Sequence, residues 1–145
     1  MDDQLTPEDR ELRALLGEAH TIAVVGLSSR PGRPSFEVAT YLQDHGYRIV
    51  PVNPNEDAVL GEPAYAGLLD IPRDRSIDVV DVFRRASETP DVARDAVAIG
   101  AKVLWLQEGI VSDEAAAIAT AGGLDVIMGV CIKHVRERLM GEDLT

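Results

Sequence analysis

Glycine, serine and arginine crowd into one stretch after an apolar run, and together they make a set of groups suited to holding a phosphate. Thr21-Ile22-Ala23-Val24-Val25 stops at Gly26. Leu27-Ser28-Ser29-Arg30-Pro31-Gly32-Arg33-Pro34-Ser35 follows, and then a helical pattern begins. A buried strand feeding a polar loop that opens a helix presents free N–H groups and a positive dipole end to an anion. Ser28, Ser29 and Ser35 add hydroxyls, and Arg30 and Arg33 add guanidinium groups that pair with phosphate oxygens. Gly26-x-Ser28 departs from the G-x-G-x-x-G fingerprint at its second glycine, where serine offers a hydroxyl in place of close backbone approach. Taken alone, Gly26 is equally well read as a residue that permits a tight turn.

The end of the next apolar run discriminates better. Arg48-Ile49-Val50-Pro51-Val52 leads into Asn53-Pro54-Asn55. A site for NAD wants an acidic residue there to accept the ribose hydroxyls. Asn53 and Pro54 supply an amide and a rigid turn instead, so the pairing points to a nucleotide ligand other than ordinary NAD, with Arg30 or Arg33 facing a ribose phosphate. Two more strand ends carry polar groups: Val82-Phe83-Arg84-Arg85 and Gln107-Glu108-Gly109. Arg84 and Arg85 are also explained as solvated partners of Glu88 and Asp91. Trp105, inside a strand, reads as core.

Other chemistries find little support. His20, His45 and His134 are far apart and none forms a helical i, i+4 pair, so no zinc motif exists. Neither a Gly-x-Ser-x-Gly elbow nor a phosphate-binding G-x-x-x-x-G-K-[ST] sequence is present. Cys131 is the single cysteine, which rules out an intrachain disulfide and reads as a small buried residue more readily than as a reactive thiol. The net charge of −11 argues against wholesale binding to nucleic acid or anionic membrane. No apolar run approaches the ~20 residues of a membrane span, and the expected location is cytoplasmic.

The elements that must position these residues follow from periodicity. Thr6-Pro7-Glu8-Asp9 starts a first helix with a Thr cap, an early proline and acids on the dipole. Strands are predicted at Thr21–Val25, Arg48–Val52, Ile77–Phe83, Lys102–Leu106 and Leu124–Met128. Helices are predicted from Ser35, as cap, to Gly46, from Glu88 to Gly100, from Ser112 to Gly122 and from Lys133 to Met140. In the intervening 56–72 stretch, Leu68, Leu69 and Ile71 are expected to bury a short element. Asp78 is expected at the mouth of its strand, and Asp81 is expected to bond a neighbouring loop. Alternating strands and helices with short connections predict right-handed crossovers and a doubly wound parallel α/β sheet of about five strands in a single domain, residues 1–145. Aromatics make up only 4% of the chain, so the core must be aliphatic, which suits a sheet buried on both faces.

These segments together resemble the stand-alone CoA-binding proteins, which are related to the N-terminal CoA-binding domain of the succinyl-CoA synthetase α subunit. The resemblance is carried by Val24-Val25-Gly26-Leu27-Ser28, by Arg30, Pro31, Arg33, Pro34 and Ser35, and by Val38, Tyr41-Leu42 and Gly46-Tyr47. It continues through Pro51-Val52-Asn53-Pro54, Val59-Leu60-Gly61, Ile77 to Arg85, Ile99-Gly100-Ala101-Lys102 and Trp105 to Ile110, and so spans about residues 10 to 140. It implies a Rossmann-like fold with coenzyme A or an acyl-CoA across the strand ends. Gly26, Ser28, Ser29, Arg30, Arg33 and Ser35 would cradle phosphates. Asn53 and Pro54 would lie along the adenosine. Val82, Phe83, Arg84, Gln107 and Gly109 would line the way to the pantetheine arm. Relatives commonly carry Asp-Arg-Cys after the last strand. Here Met128-Gly129-Val130-Cys131 keeps only the cysteine, so contacts of the missing pair do not carry over.

A CoA ligase also needs a phosphorylatable histidine on a further domain and a nucleotide-grasping partner, and neither is visible. The leading expectation is therefore a non-catalytic CoA or acyl-CoA binding module, alone, as a homodimer or beside a partner enzyme subunit. The rivals are an NAD(P)-dependent oxidoreductase or small acyl-transfer enzyme, using Glu108, Asp81 or Cys131, and an interaction subunit without a ligand.

Overall fold

A computed structural model describes residues 5–141. Helix α1 (Pro7–Glu18) starts where Thr6 accepts a hydrogen bond from the Asp9 N–H at 3.0 Å, as the capping pattern predicts. Strand β1 (Thr21–Val25), helix α2 (Pro34–Asp44) and strand β2 (Arg48–Val52) form the first crossover. A two-residue hairpin, β3 (Ala58–Val59) with β4 (Glu62–Pro63), and a 3-10 turn (Leu68–Asp70) then lead to β5 (Val79–Val82). Helix α3 (Thr89–Ala98), β6 (Val103–Leu106), α4 (Asp113–Ala121), β7 (Asp125–Met128) and α5 (Ile132–Met140) complete the alternation.

The five long strands form one parallel sheet in the order β2-β1-β5-β6-β7. Every residue of β1 beyond Thr21 and every residue of β5 and β6 is buried, because helices cover both faces. On one face Ile22, Val24, Val79, Val103 and Trp105 pack with α1, α2 and α5. On the other, Ala23, Val25, Val80, Val82 and Leu104 pack with α3 and α4. This is the doubly wound parallel sheet expected from the alternation of strand and helix patterns.

Several local expectations change. Leu68 and Ile71 are buried, but Leu69 is 51% exposed, because the turn that carries them is too short to bury three successive apolar sides. Helix α3 starts at Thr89, after a 3-10 turn over Ala86–Glu88. Helix α5 docks firmly through Ile132, Val135, Arg136 and Leu139. Buried Arg136 donates to the Tyr47 and Tyr41 hydroxyls at 3.1 and 3.2 Å, and the Tyr47 hydroxyl donates to the Leu16 carbonyl, so α1, α2, α5 and the turn before β2 close on one polar knot.

Candidate functional site

The strand order reverses between β1 and β5. The chain leaves β1 through α2, which packs on the Ile22/Val24 side, and leaves β5 through α3, which packs on the Ala23/Val25 side. Connections that diverge in this way open a crevice above the carboxyl ends of the strands. Gly26 lies at its centre. Its N–H donates to Val52 O at 2.8 Å, and the next N–H across, that of Phe83, donates to Val25 O at 2.8 Å. The backbone at Gly26 has φ +88°, and a Cβ there would stand 2.5 Å from Phe83 O. Glycine is thus required twice over, by dihedral and by contact.

The loop from Gly26 to α2 is organised by its own side chains. Ser35 does not cap α2. The helix starts at Pro34 with Arg33 in the cap position and no side-chain cap bond. Ser35 is instead buried inside the first turn, and its hydroxyl accepts from the Ser28 N–H at 3.0 Å, because the loop folds back over the helix start. Ser28 Oγ in turn accepts from the Arg30 N–H at 3.1 Å. Asn53 joins this loop to the end of β2. Its amide donates to Leu27 O at 3.0 Å while its Oδ1 accepts from Asn55 N–H at 2.9 Å.

That turn delivers a residue the sequence pattern did not reveal. Glu56 Oε2 accepts from both the N–H and the hydroxyl of Ser29, each at 3.0 Å. A second carboxylate, Glu37 Oε2, accepts from the Gly32 N–H at 3.1 Å. The end of β2 is therefore not free of acid. The carboxylate comes four residues beyond the strand, past an Asx turn, where spacing rules do not look for it. Glu56 thus places one anionic oxygen on two donors of the same residue. Arg30 and Arg33 are exposed, and neither forms an ion pair among the described residues.

The other strand ends divide. Val82 is fully buried and offers only backbone to the crevice, while Phe83 packs partly buried over the α2 side of the core. Arg84 and Arg85 both meet Glu88, at 3.5 and 3.4 Å, whereas Asp91 is taken by Arg94 at 2.6 Å. Gln107 is buried, and its Oε1 accepts from the Ile132 N–H at 3.1 Å, so it ties β6 to the start of α5. Gly109 turns the chain just beyond, at φ +81°. Trp105 is core as expected, with its Nε1 donating to Val130 O at 2.9 Å. Cys131 is buried in the cap position of α5.

Two aspartates correct the reading of β5. Asp78 lies at the amino end of the strand, away from the crevice. It accepts from the N–H groups of His20 and Thr21 at 2.8 and 3.0 Å and meets Lys102 Nζ at 3.3 Å. Burial alone would raise its carboxyl, but these partners outweigh burial and hold it below the ordinary value. Asp81 bonds no loop. It is fully buried, neither of its oxygens has a hydrogen-bond partner among the described residues, and burial pushes its carboxyl well above the ordinary range.

A concavity of about 660 Å³ lies at the opposite end of the sheet, between α1 and the starts of β5, β6 and β7. Its floor is apolar (Leu12, Leu15, Val103, Ile127), and the rim carries Glu8, Glu11, Glu18 and Asp125. Its lining holds no glycine, serine or threonine and is mostly apolar and acidic, so its size does not outweigh the loop at the carboxyl ends as a place for an anion. No group of acidic, histidine or cysteine side chains able to hold a metal exists among the described residues.

Residues 20–137 match the family described as CoA binding domain. The chain belongs to that family. The CoA-binding domain is 44% identical over 127 residues to the protein YneT of Bacillus subtilis (strain 168), covering 88% of this chain and 93% of that one. The solved structure of a hypothetical protein from Pyrococcus horikoshii OT3 superposes with a TM-score of 0.88 at 39% identity, covering 96% of this chain and 95% of that one. The CoA-binding domain is also 33% identical over 84 residues to an ADP-forming acetate–CoA ligase of Archaeoglobus fulgidus. That match takes in 57% of this chain but 12% of the ligase. Among the described residues no helix is long and apolar enough to cross a membrane.

Proposed function

We propose that the CoA-binding domain holds CoA or an acyl-CoA across the carboxyl ends of β2, β1 and β5, as a binding module without chemistry of its own. The carrying observation is Ser29, whose two donors already grip an anionic oxygen at the point where strand order reverses. In this reading the Ser28 hydroxyl and the N–H and hydroxyl of Ser29 contact phosphate, and Gly26 keeps the backbone low enough for the approach. Arg30 and Arg33, without carboxylate partners among the described residues, neutralise the phosphate charge. Asn53 and Pro54 flank the adenosine, and Ser35 braces the loop from within. Val82, Phe83, Arg84, Gln107 and Gly109 border the route of the pantetheine arm, with Gln107 and Val82 enclosed and acting through the backbone around them.

The positions of the reactive groups support a module without chemistry of its own. Asp81 is sealed in the core, Cys131 is buried at a helix start, and exposed Glu108 meets His134 at 3.9 Å. Likeness to one-eighth of an acetate–CoA ligase supports a domain that presents CoA or its thioester to a partner enzyme subunit.

Glu56 favours a second reading, since a carboxylate beyond β2 is what a nicotinamide dinucleotide asks of its ribose site. Calorimetry with CoA, dephospho-CoA and NAD separates the two. CoA is expected to bind most tightly, dephospho-CoA more weakly by ~1–3 kcal/mol for the lost phosphate contact, and NAD weakest. Binding of NAD without CoA overturns the proposal.

A further inference from the structure

We propose that Glu56 is an internal substitute for the ligand's phosphate, a carboxylate that occupies the donors of Ser29 in the free protein and must leave them when CoA enters. This rests on the β1–α2 loop being the phosphate cradle. One oxygen, Oε2, takes both the N–H and the hydroxyl of Ser29. A phosphate oxygen needs those same donors, and two anions cannot share them at van der Waals distance without strong repulsion. Glu56 is built to reach that place. Asn53 ties its turn to Leu27 O, and the Glu56 N–H donates back to Asn53 O at 3.2 Å, so the carboxylate is aimed and not merely nearby. It is also built to leave. Only Ser29 donates to it among the described residues, and it rides on a turn at the sheet's edge with exposed Pro54 and Asn55 beside it.

The consequence is selectivity. A free inorganic anion offers little beyond charge and competes poorly with a tethered carboxylate. CoA adds its adenosine and pantetheine contacts and displaces it. The apparent affinity is then the intrinsic affinity reduced by the fraction of molecules in which the cradle is open.

The test titrates wild type, Glu56→Gln and Glu56→Ala with CoA and, separately, with inorganic pyrophosphate. Glutamine keeps an acceptor for Ser29 and loses the charge. The expected result is CoA binding about tenfold tighter in both variants, with pyrophosphate binding rising from weak to measurable. CoA binding in wild type that is unchanged in both variants overturns the displacement and leaves the CoA site intact, and CoA binding weakened in both overturns it and assigns the carboxylate to ligand hydroxyls. Tighter pyrophosphate binding with no CoA binding in any of the proteins keeps the displacement and removes CoA as the ligand. No binding of either probe removes both.

Discussion

Gly26 and Phe83 pack backbone against backbone where the sheet reverses, with room for a hydrogen but not a methyl group. A Cβ at Gly26 would stand 2.5 Å from Phe83 O, and the residue's φ of +88° is itself costly for any other amino acid. Gly26→Ala is expected to lose at least ~2 kcal/mol of stability, from dihedral strain plus overpacking against an atom that cannot rotate away. Because the same shift pries the β1 loop from β5, CoA binding should fall even well below the melting temperature. Urea unfolding and calorimetry on the same preparation read the two effects. Wild-type stability in the variant would show that the contact is not maintained.

Gln107 looks from sequence like a ligand-facing polar group, yet its oxygen is committed to the first N–H of α5. Gln107→Ala should therefore destabilise the protein by ~1–2 kcal/mol, the cost of a buried donor left without its acceptor. Gln107→Glu keeps an acceptor at the positive end of a helix and should lose less. A CoA affinity that falls in the alanine variant without any change in unfolding midpoint would instead make Gln107 a direct contact.

What was legible follows from how local each signal is. The strands Thr21–Val25 and Arg48–Val52 read correctly to the residue, because each is a short, mostly β-branched run closed by a turn signal, Gly26 after the first and Asn53-Pro54 after the second. The parallel order followed from the short alternating connections. Glu56 was missed because its reach depends on an Asx turn at Asn53, and Ser35 was misassigned because a serine just before an apolar stripe looks like a cap. In the structure Pro34 already occupies the first helical turn. Asp81 was expected to find a partner, since alternation in β5 marks it only as inward-facing. That nothing inside answers it is a fact of packing and not of pattern.

Arg30 and Arg33 carry charge but little structure. Both side chains are exposed and unpaired among the described residues, so the double substitution to alanine should leave the melting temperature within about 1 °C, as surface changes usually do. CoA affinity is expected to drop about 10- to 100-fold, as for the loss of one or two charge-assisted bonds. Dephospho-CoA should lose less if one guanidinium meets the 3′-phosphate. Raising the salt concentration should weaken wild type more than the double variant. Equal affinity in the two proteins would sink the phosphate role of these arginines.

Asp81 sits in register between Val24 of β1 and Trp105 of β6, with no donor for either oxygen among the described residues. Burial raises its carboxyl in the folded state, so the native protein keeps a proton that the unfolded chain releases near pH 4. The folded state then binds more protons than the unfolded one, and stability falls as pH rises from about 4 up to the folded value of Asp81. Asp78 has the opposite sign. Its depressed carboxyl supports the fold above the ordinary value and is lost only as pH falls. Asp81→Val removes the first contribution and leaves the second. Valine matches its neighbours Val24 and Val79, and the variant should be more stable than wild type by ~1–3 kcal/mol at neutral pH, the usual cost of a buried polar group without a partner. The gap between the two proteins should shrink on acidification through about pH 4 and level off below it, where the wild-type carboxyl is neutral in both states. Unfolding curves in urea at several pH values measure that gap. A difference that stays flat across the range, or widens in acid, would mean that Asp81 is ionised in the fold and has found a partner.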